Sequence, residues 1–95
     1  MFLASYEFDG DVEALLPAYY RLVDSMPPGM VELQLCVERP SGITVYDSCP
    51  SQEDFQAFTS GPHFAAAVEA AGLPPARVSG IGEVHNAIVG VAARP

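Results

Sequence analysis

Tryptophan and lysine are both absent from this 95-residue chain, which has two histidines and two cysteines. Four basic residues, all arginine, stand against twelve acidic ones, for a formal net charge of −8. A surface of that sign repels phosphate backbones and anionic lipid, which argues against nucleic acid and membranes as partners. Cys36 and Cys49 make neither a disulfide framework nor a CxxC pair, so reduced thiols and a cytoplasmic location are expected. No apolar run approaches the ~18 residues of a transmembrane helix. The opening stretch lacks the basic region and long apolar core of a signal peptide. HExxH spacing, a P-loop, GxGxxG and GxSxG are all missing, so no metal or other cofactor is expected.

What is present is apolar. Hydrophobic residues make up 49% of the chain and charged residues 17%, a balance that excludes disorder and fits one small domain spanning residues 1–95. A chain of this size buries only ~60–65% of its unfolded surface. Apolar surface in excess of that core goes into an oligomer interface or a ligand pocket.

The period of that apolar pattern changes along the chain. Phe2, Ala4, Tyr6 and Phe8 alternate with Leu3, Ser5 and Glu7, which predicts a first strand. Asp9-Gly10-Asp11 breaks it and offers a helix cap. Val12, Leu15, Leu16, Tyr19, Leu22, Val23 and Met26 then recur at helical spacing, with Pro17 expected to kink the first turns, until Pro27-Pro28-Gly29. A second strand is predicted over Met30 to Glu38, with Val31, Leu33, Leu35 and Val37 on one face. Arg39 to Gly42 turns the chain into a third strand, Ile43 to Cys49. This register sets Glu38 against Ile43, Gln34 against Asp47 and Leu35 against Tyr46.

Ser51-Gln52-Glu53-Asp54 resembles a capping box that opens a helix with Phe55 and Phe58 inward. Ser60-Gly61-Pro62 interrupts it, a further helix carries Phe64, Val68 and Ala71 inward, and Gly72 stops that helix. The last strand is expected at about Gly82 to Val89, with Ala92 to Pro95 a frayed tail. The order β-α-β-β-α-(α)-β predicts an α+β, ferredoxin-like fold: a four-stranded antiparallel sheet in the order 4-1-3-2, helices on one face.

The stretches VYDSCPSQEDFQAF and SGPHFAAAVEAAGLP, with the closing GEVHNAIV, resemble the dimeric α+β barrel superfamily, in particular the antibiotic-biosynthesis-monooxygenase-like branch. The resemblance covers most of the chain and lies in its hydrophobic pattern. It implies a homodimer joined through the sheet face, and a ligand held between sheet and helices. It also implies cofactor-free chemistry on a hydrophobic, aromatic or polyketide-like small molecule, such as oxidation, isomerisation or cyclisation. Many relatives carry a tryptophan where Cys49 stands, and Asn86 alone does not restore the set used in oxygenation. Cyclisation or isomerisation by proton transfer is therefore favoured over oxygenation.

Three residues are candidates for that proton transfer. Asp47 is a carboxylate on a central strand, where burial raises its pKa towards that of a useful base. His85, within the expected last strand and near Glu83, suits proton transfer. It would share a sheet face with Asp47 across a ~10 Å gap of two strand spacings. His63 opens a helix and is the third candidate. Tyr6, Tyr19 and Tyr46, with Phe55, Phe64 and Asn86, are the candidate substrate-binding residues. The same apolar faces also fit a non-catalytic protein that binds a small ligand or only dimerises.

Overall fold

The computed structural model describes residues 1–27, 29 and 31–90. Pro28, Met30 and the expected tail from Ala92 to Pro95 lie outside the described residues. The elements are β1 (Phe2–Asp9), α1 (Val12–Asp24), β2 (Gln34–Arg39), β3 (Gly42–Cys49), α2 (Gln52–Ser60), α3 (Pro62–Ala71) and β4 (Arg77–Glu83). The strands form one antiparallel sheet in the order β2-β3-β1-β4, the expected order read from the other edge.

The local signals account for most boundaries. Ser51 Oγ accepts a hydrogen bond from the Asp54 N–H at 3.1 Å, which caps α2. Gly61 separates α2 from α3, Pro62 occupies the first turn of α3, and Gly72 ends α3 in the left-handed region at φ 90°. Asp11 caps α1 through its backbone carbonyl alone, and α1 runs through Pro17, whose side chain is exposed. The β2–β3 hairpin turns on Pro40 and Ser41 and has the expected register, with Gln34 opposite Asp47. β2 begins at Gln34, four residues later than expected. Ahead of it, the Leu33 N–H donates to Ser48 Oγ at 3.0 Å.

Strand alternation divides the sheet into a covered and an open face. Phe2, Ala4, Tyr6 and Phe8 of β1, and Ile43, Val45, Asp47 and Cys49 of β3, point towards the helices. Phe8 and Ile43 are the largest fully buried side chains. Leu15, Ala18 and Tyr19 of α1, Phe55 of α2, and Val68 and Ala71 of α3 close over them. The Arg21 Nε–H donates to the Ala71 carbonyl at 2.9 Å, tying α1 to the C-terminal end of α3. On the open face Leu35 and Val37 are 53% and 43% exposed. The apolar alternations of β1 and β2 thus serve opposite faces.

The last strand departs from expectation. It spans Arg77–Glu83, not Gly82 to Val89. Pairing with β1, from Tyr6↔Val78 to Phe2↔Glu83, fixes its position, and a bulge between Leu3 and Ala4 absorbs one residue. Gly80 stands at a close approach there. A Cβ at this position would lie 3.0 Å from Phe2 Cζ and 3.2 Å from Phe55 Cε2, whose rings pack at 5.3 Å between centroids. Beyond the strand, Ile88 and Val89 are 89% and 75% exposed.

Candidate functional site

The covered face and the helices leave a cavity of about 170 Å³ between β1, β2 and β3 on one side and α1, α3 and Phe58 of α2 on the other. Most of its lining is apolar, contributed by Phe8, Val45, Leu22, Val23, Phe58 and Phe64. The polar side chains of its sheet wall are those of Tyr6, Gln34 and Asp47, and Tyr19 of α1 meets them from above. His63, in the first turn of α3, reaches the same cavity from its exposed side.

Asp47 sits at the polar end. Its residue exposure is 7%, and its Oδ1 has no hydrogen-bond partner. Burial raises its pKa from an ordinary 3.8 to about 6. The neighbouring Tyr6 and Gln34 side chains pull it back down. Tyr6 stands diagonally across from it, since Ala4 pairs with Asp47 and Tyr6 with Val45. The Tyr6 hydroxyl is also buried and unpartnered, and burial, with the Asp47 charge next, pushes its pKa far up. No hydrogen bond of ordinary length joins Tyr6 to Asp47, yet each moves the other's ionisation. Tyr19 Oη donates to Gln34 Oε1 at 2.6 Å, and burial pushes the Tyr19 phenol up to about 12. Both tyrosines are therefore neutral donors near neutral pH. Burial also raises the thiol pKa of Cys49 and of Cys36, so neither is an activated nucleophile.

Of the sequence-derived candidates, Asp47, His63, Tyr6, Tyr19 and Phe64 meet at this cavity. Four do not. His85 and Asn86 are exposed and follow the end of β4, because the ladder with β1 stops before them. The idea that Asp47 and His85 share a sheet face therefore falls. Tyr46 points to the open face, one residue out of phase with Asp47. Phe55 is buried against Phe2 on the β4 side of the core. Gln34 and Phe58 were missed as lining residues. The hairpin register already held the signal for Gln34, since it faces Asp47. Alternation alone left open which face of β2 the helices cover, so Gln34 was not taken as a lining residue.

Neither protein-family models nor curated proteins yield a match. Solved structures do, among them two that are each described as a "putative antibiotic biosynthesis monooxygenase". The one from Deinococcus radiodurans superposes with a TM-score of 0.58 at 12% identity, over 94% of this chain and 100% of the other. The one from Chloroflexus aurantiacus gives 0.51 at 17% identity, over 90% and 96%. The chain has the fold of the antibiotic-biosynthesis-monooxygenase-like proteins. At these identities the likeness establishes the fold alone. Within that fold, the cavity lies between the sheet and its helices. Among the described residues, no helix is long and apolar enough to cross a membrane. No group of three or more His, Cys, Asp or Glu among them is arranged to hold a metal ion.

Proposed function

We propose that the protein is a cofactor-independent enzyme that moves a proton on a small aromatic or ring-fused molecule bound between the sheet and helices α1 and α3. The observation that carries this reading is the unpartnered Oδ1 of Asp47 at an apolar cavity, together with the unpartnered hydroxyl of Tyr6. Leaving two buried polar groups unsatisfied costs about 1–3 kcal/mol each, a cost that a bound ligand would relieve. With a pKa of about 6, Asp47 is ionised at neutral pH yet basic enough to accept a proton.

The roles follow from the chemistry of each group. Asp47 takes a proton from an acidic C–H of the substrate, and negative charge develops on the conjugated oxygen. The neutral phenol of Tyr6 donates a hydrogen bond to that oxygen. Protonated Asp47 then returns the proton to another carbon, giving an isomer; alternatively the carbanion adds to a carbonyl carbon of the same molecule, closing a ring as the C=O π pair moves onto oxygen and that alkoxide takes the proton back from Asp47. Leu22, Val45, Phe58 and Phe64 hold the ring and exclude water. His63 at the cavity edge is a candidate for exchanging the proton with solvent. A cavity of about 170 Å³ compares with the ~150 Å³ that accommodates benzene in an engineered protein core. One or two fused rings fit, and a larger polyketide would have to protrude from the cavity.

We also propose that two copies pair through the open sheet face, where Leu35 and Val37 stand exposed, and that the protein works in the cytoplasm, where its two free cysteines stay reduced. A second reading, a binding protein without catalysis, is favoured by the largely apolar lining and needs only the cavity. NMR titration with 2-indanone, a two-ring ketone, tests the site. Shifts should centre on Tyr6, Tyr19, Val45, Asp47 and Phe64. Shifts confined to the open face, or none at millimolar probe, would reject the cavity as the binding site. Binding without proton exchange on the probe would favour the second reading.

A further inference from the structure

The geometry points to Gln34 and Tyr19 as positioning residues that fix the orientation and basicity of Asp47 through one directed chain of hydrogen-bond donors. This inference rests on the reading of Asp47 as a base. It adds two residues that lie beside the carboxylate rather than at the reacting carbon, Gln34 across the strand pair and Tyr19 bonded to Gln34.

The chain's direction is set by elementary donor and acceptor counting. An ionised carboxylate is acceptor-only, whereas a glutamine amide has a donor end and an acceptor end. Gln34 is the direct cross-strand partner of Asp47 on the covered face. Its donor end must face the carboxylate, because the reverse orientation would set two acceptors against each other. That leaves Oε1 pointing away from Asp47, where Tyr19 Oη meets it at 2.6 Å. A neutral tyrosine can donate at that position, and the burial that keeps the Tyr19 phenol protonated preserves the donor. The sense therefore runs from Tyr19 O–H to the Gln34 carbonyl, and from the Gln34 amide to Asp47. The contact with Gln34 lowers the Asp47 pKa against the larger effect of burial. The other ionisable groups at this end are Tyr6 of β1, Cys36 of β2, Cys49 of β3 and His63 of α3.

The arrangement divides the work around one carboxylate. Gln34, anchored by Tyr19, faces the carboxylate from the β2 and α1 side, and the unpartnered Oδ1 is left for substrate. Because Tyr19 belongs to α1, a shift of that helix would reach Asp47 through a single amide.

Carboxyl ¹³C NMR titration of Asp47 tests this without any substrate, in the wild type and in the Gln34→Leu and Tyr19→Phe variants. A hydrogen bond to a charged group shifts an acid constant by roughly tenfold or more. Gln34→Leu should therefore raise the Asp47 midpoint by about one pH unit. Tyr19→Phe, which keeps the ring and removes only the hydroxyl, should raise it by a smaller amount. Gln34→Glu provides a second check if the leucine variant is unstable, since a second carboxylate in place of the amide should raise the midpoint further. An unchanged or lowered midpoint in Gln34→Leu or Gln34→Glu would overturn the proposal. So would a rise in those variants with none in Tyr19→Phe. Because the titration reads ionisation alone, it can succeed even where a search for proton-transfer activity fails, so the two outcomes are separable.

Discussion

Replacing Asp47 by Asn should make the protein more stable at neutral pH while removing its proposed base. Burial raises the folded-state pKa of Asp47 from 3.8 to about 6, above its unfolded value, so folding takes up a proton between those values. The stability tied to this group is fully present below about pH 4. It is lost as pH rises through about 6, and stays lost above that. A shift of about two units at 1.36 kcal/mol per unit corresponds to about 3 kcal/mol, an upper figure because Asn must fit the same space. Asn keeps an oxygen for Tyr6 and its volume barely changes, so no new cavity opens. Urea melts of the wild type and of Asp47→Asn, in half-unit steps from pH 4 to pH 8, give the difference directly. Asp9 is held below its ordinary value, chiefly by its hydrogen bond with Arg77, and imposes the opposite slope. It is common to both proteins and cancels. The advantage of Asn should grow with pH through the 4–6 window and then level off. A difference that stays flat would mean that the carboxylate is hydrated. A difference that shrinks with pH would mean that its charge is stabilised by the fold.

Phe55→Ala should cost ~3–5 kcal/mol in denaturant melts, since the ring is buried against Phe2, and a loss below ~1 kcal/mol would refute its place in the core. Gly80→Ala should destabilise by ~1–3 kcal/mol, because the added Cβ meets Phe2 at 3.0 Å, and an equally stable variant would show that the rings yield freely. Leu35→Glu combined with Val37→Glu should give a monomer in sedimentation at micromolar concentration, where the wild type should sediment as a dimer, and a monomeric wild type would reject pairing through the open face.

Much of the fold was legible because local signals and pairing agreed. Ser51, Gly61-Pro62 and Gly72 bound α2 and α3 by cap chemistry. The turn at Pro40-Ser41 fixed the β2–β3 register, and so placed Gln34 against Asp47. The last strand was not legible for a physical reason. Val84, Ile88 and Val89 are strand-favouring β-branched residues, whereas Gly80 and Gly82 weaken the segment that does pair. Contact with β1 and the space left for Gly80 between two aromatic rings outweigh that propensity. His85 and Asn86 dropped out of the site for this reason. The inward face of β2 was left open by the alternation, because an edge strand beside an open sheet face can turn its apolar residues outward, as Leu35 and Val37 do. Asp47, by contrast, was recognisable from sequence as a carboxylate on a central strand whose burial would raise its pKa.

The most direct test of the central claim is the exchange of the α-protons of 2-indanone for deuterium, followed by ¹H NMR as a function of pH. If Asp47 is the base, the protein should accelerate exchange over buffer, with a rate that rises through about pH 6 as the carboxylate ionises. Asp47→Asn should lower that rate by about 100-fold or more. Acceleration that survives intact in Asp47→Asn, or a rate that shows no dependence on pH between 5 and 8, would contradict the assignment of the buried carboxylate as the proton acceptor.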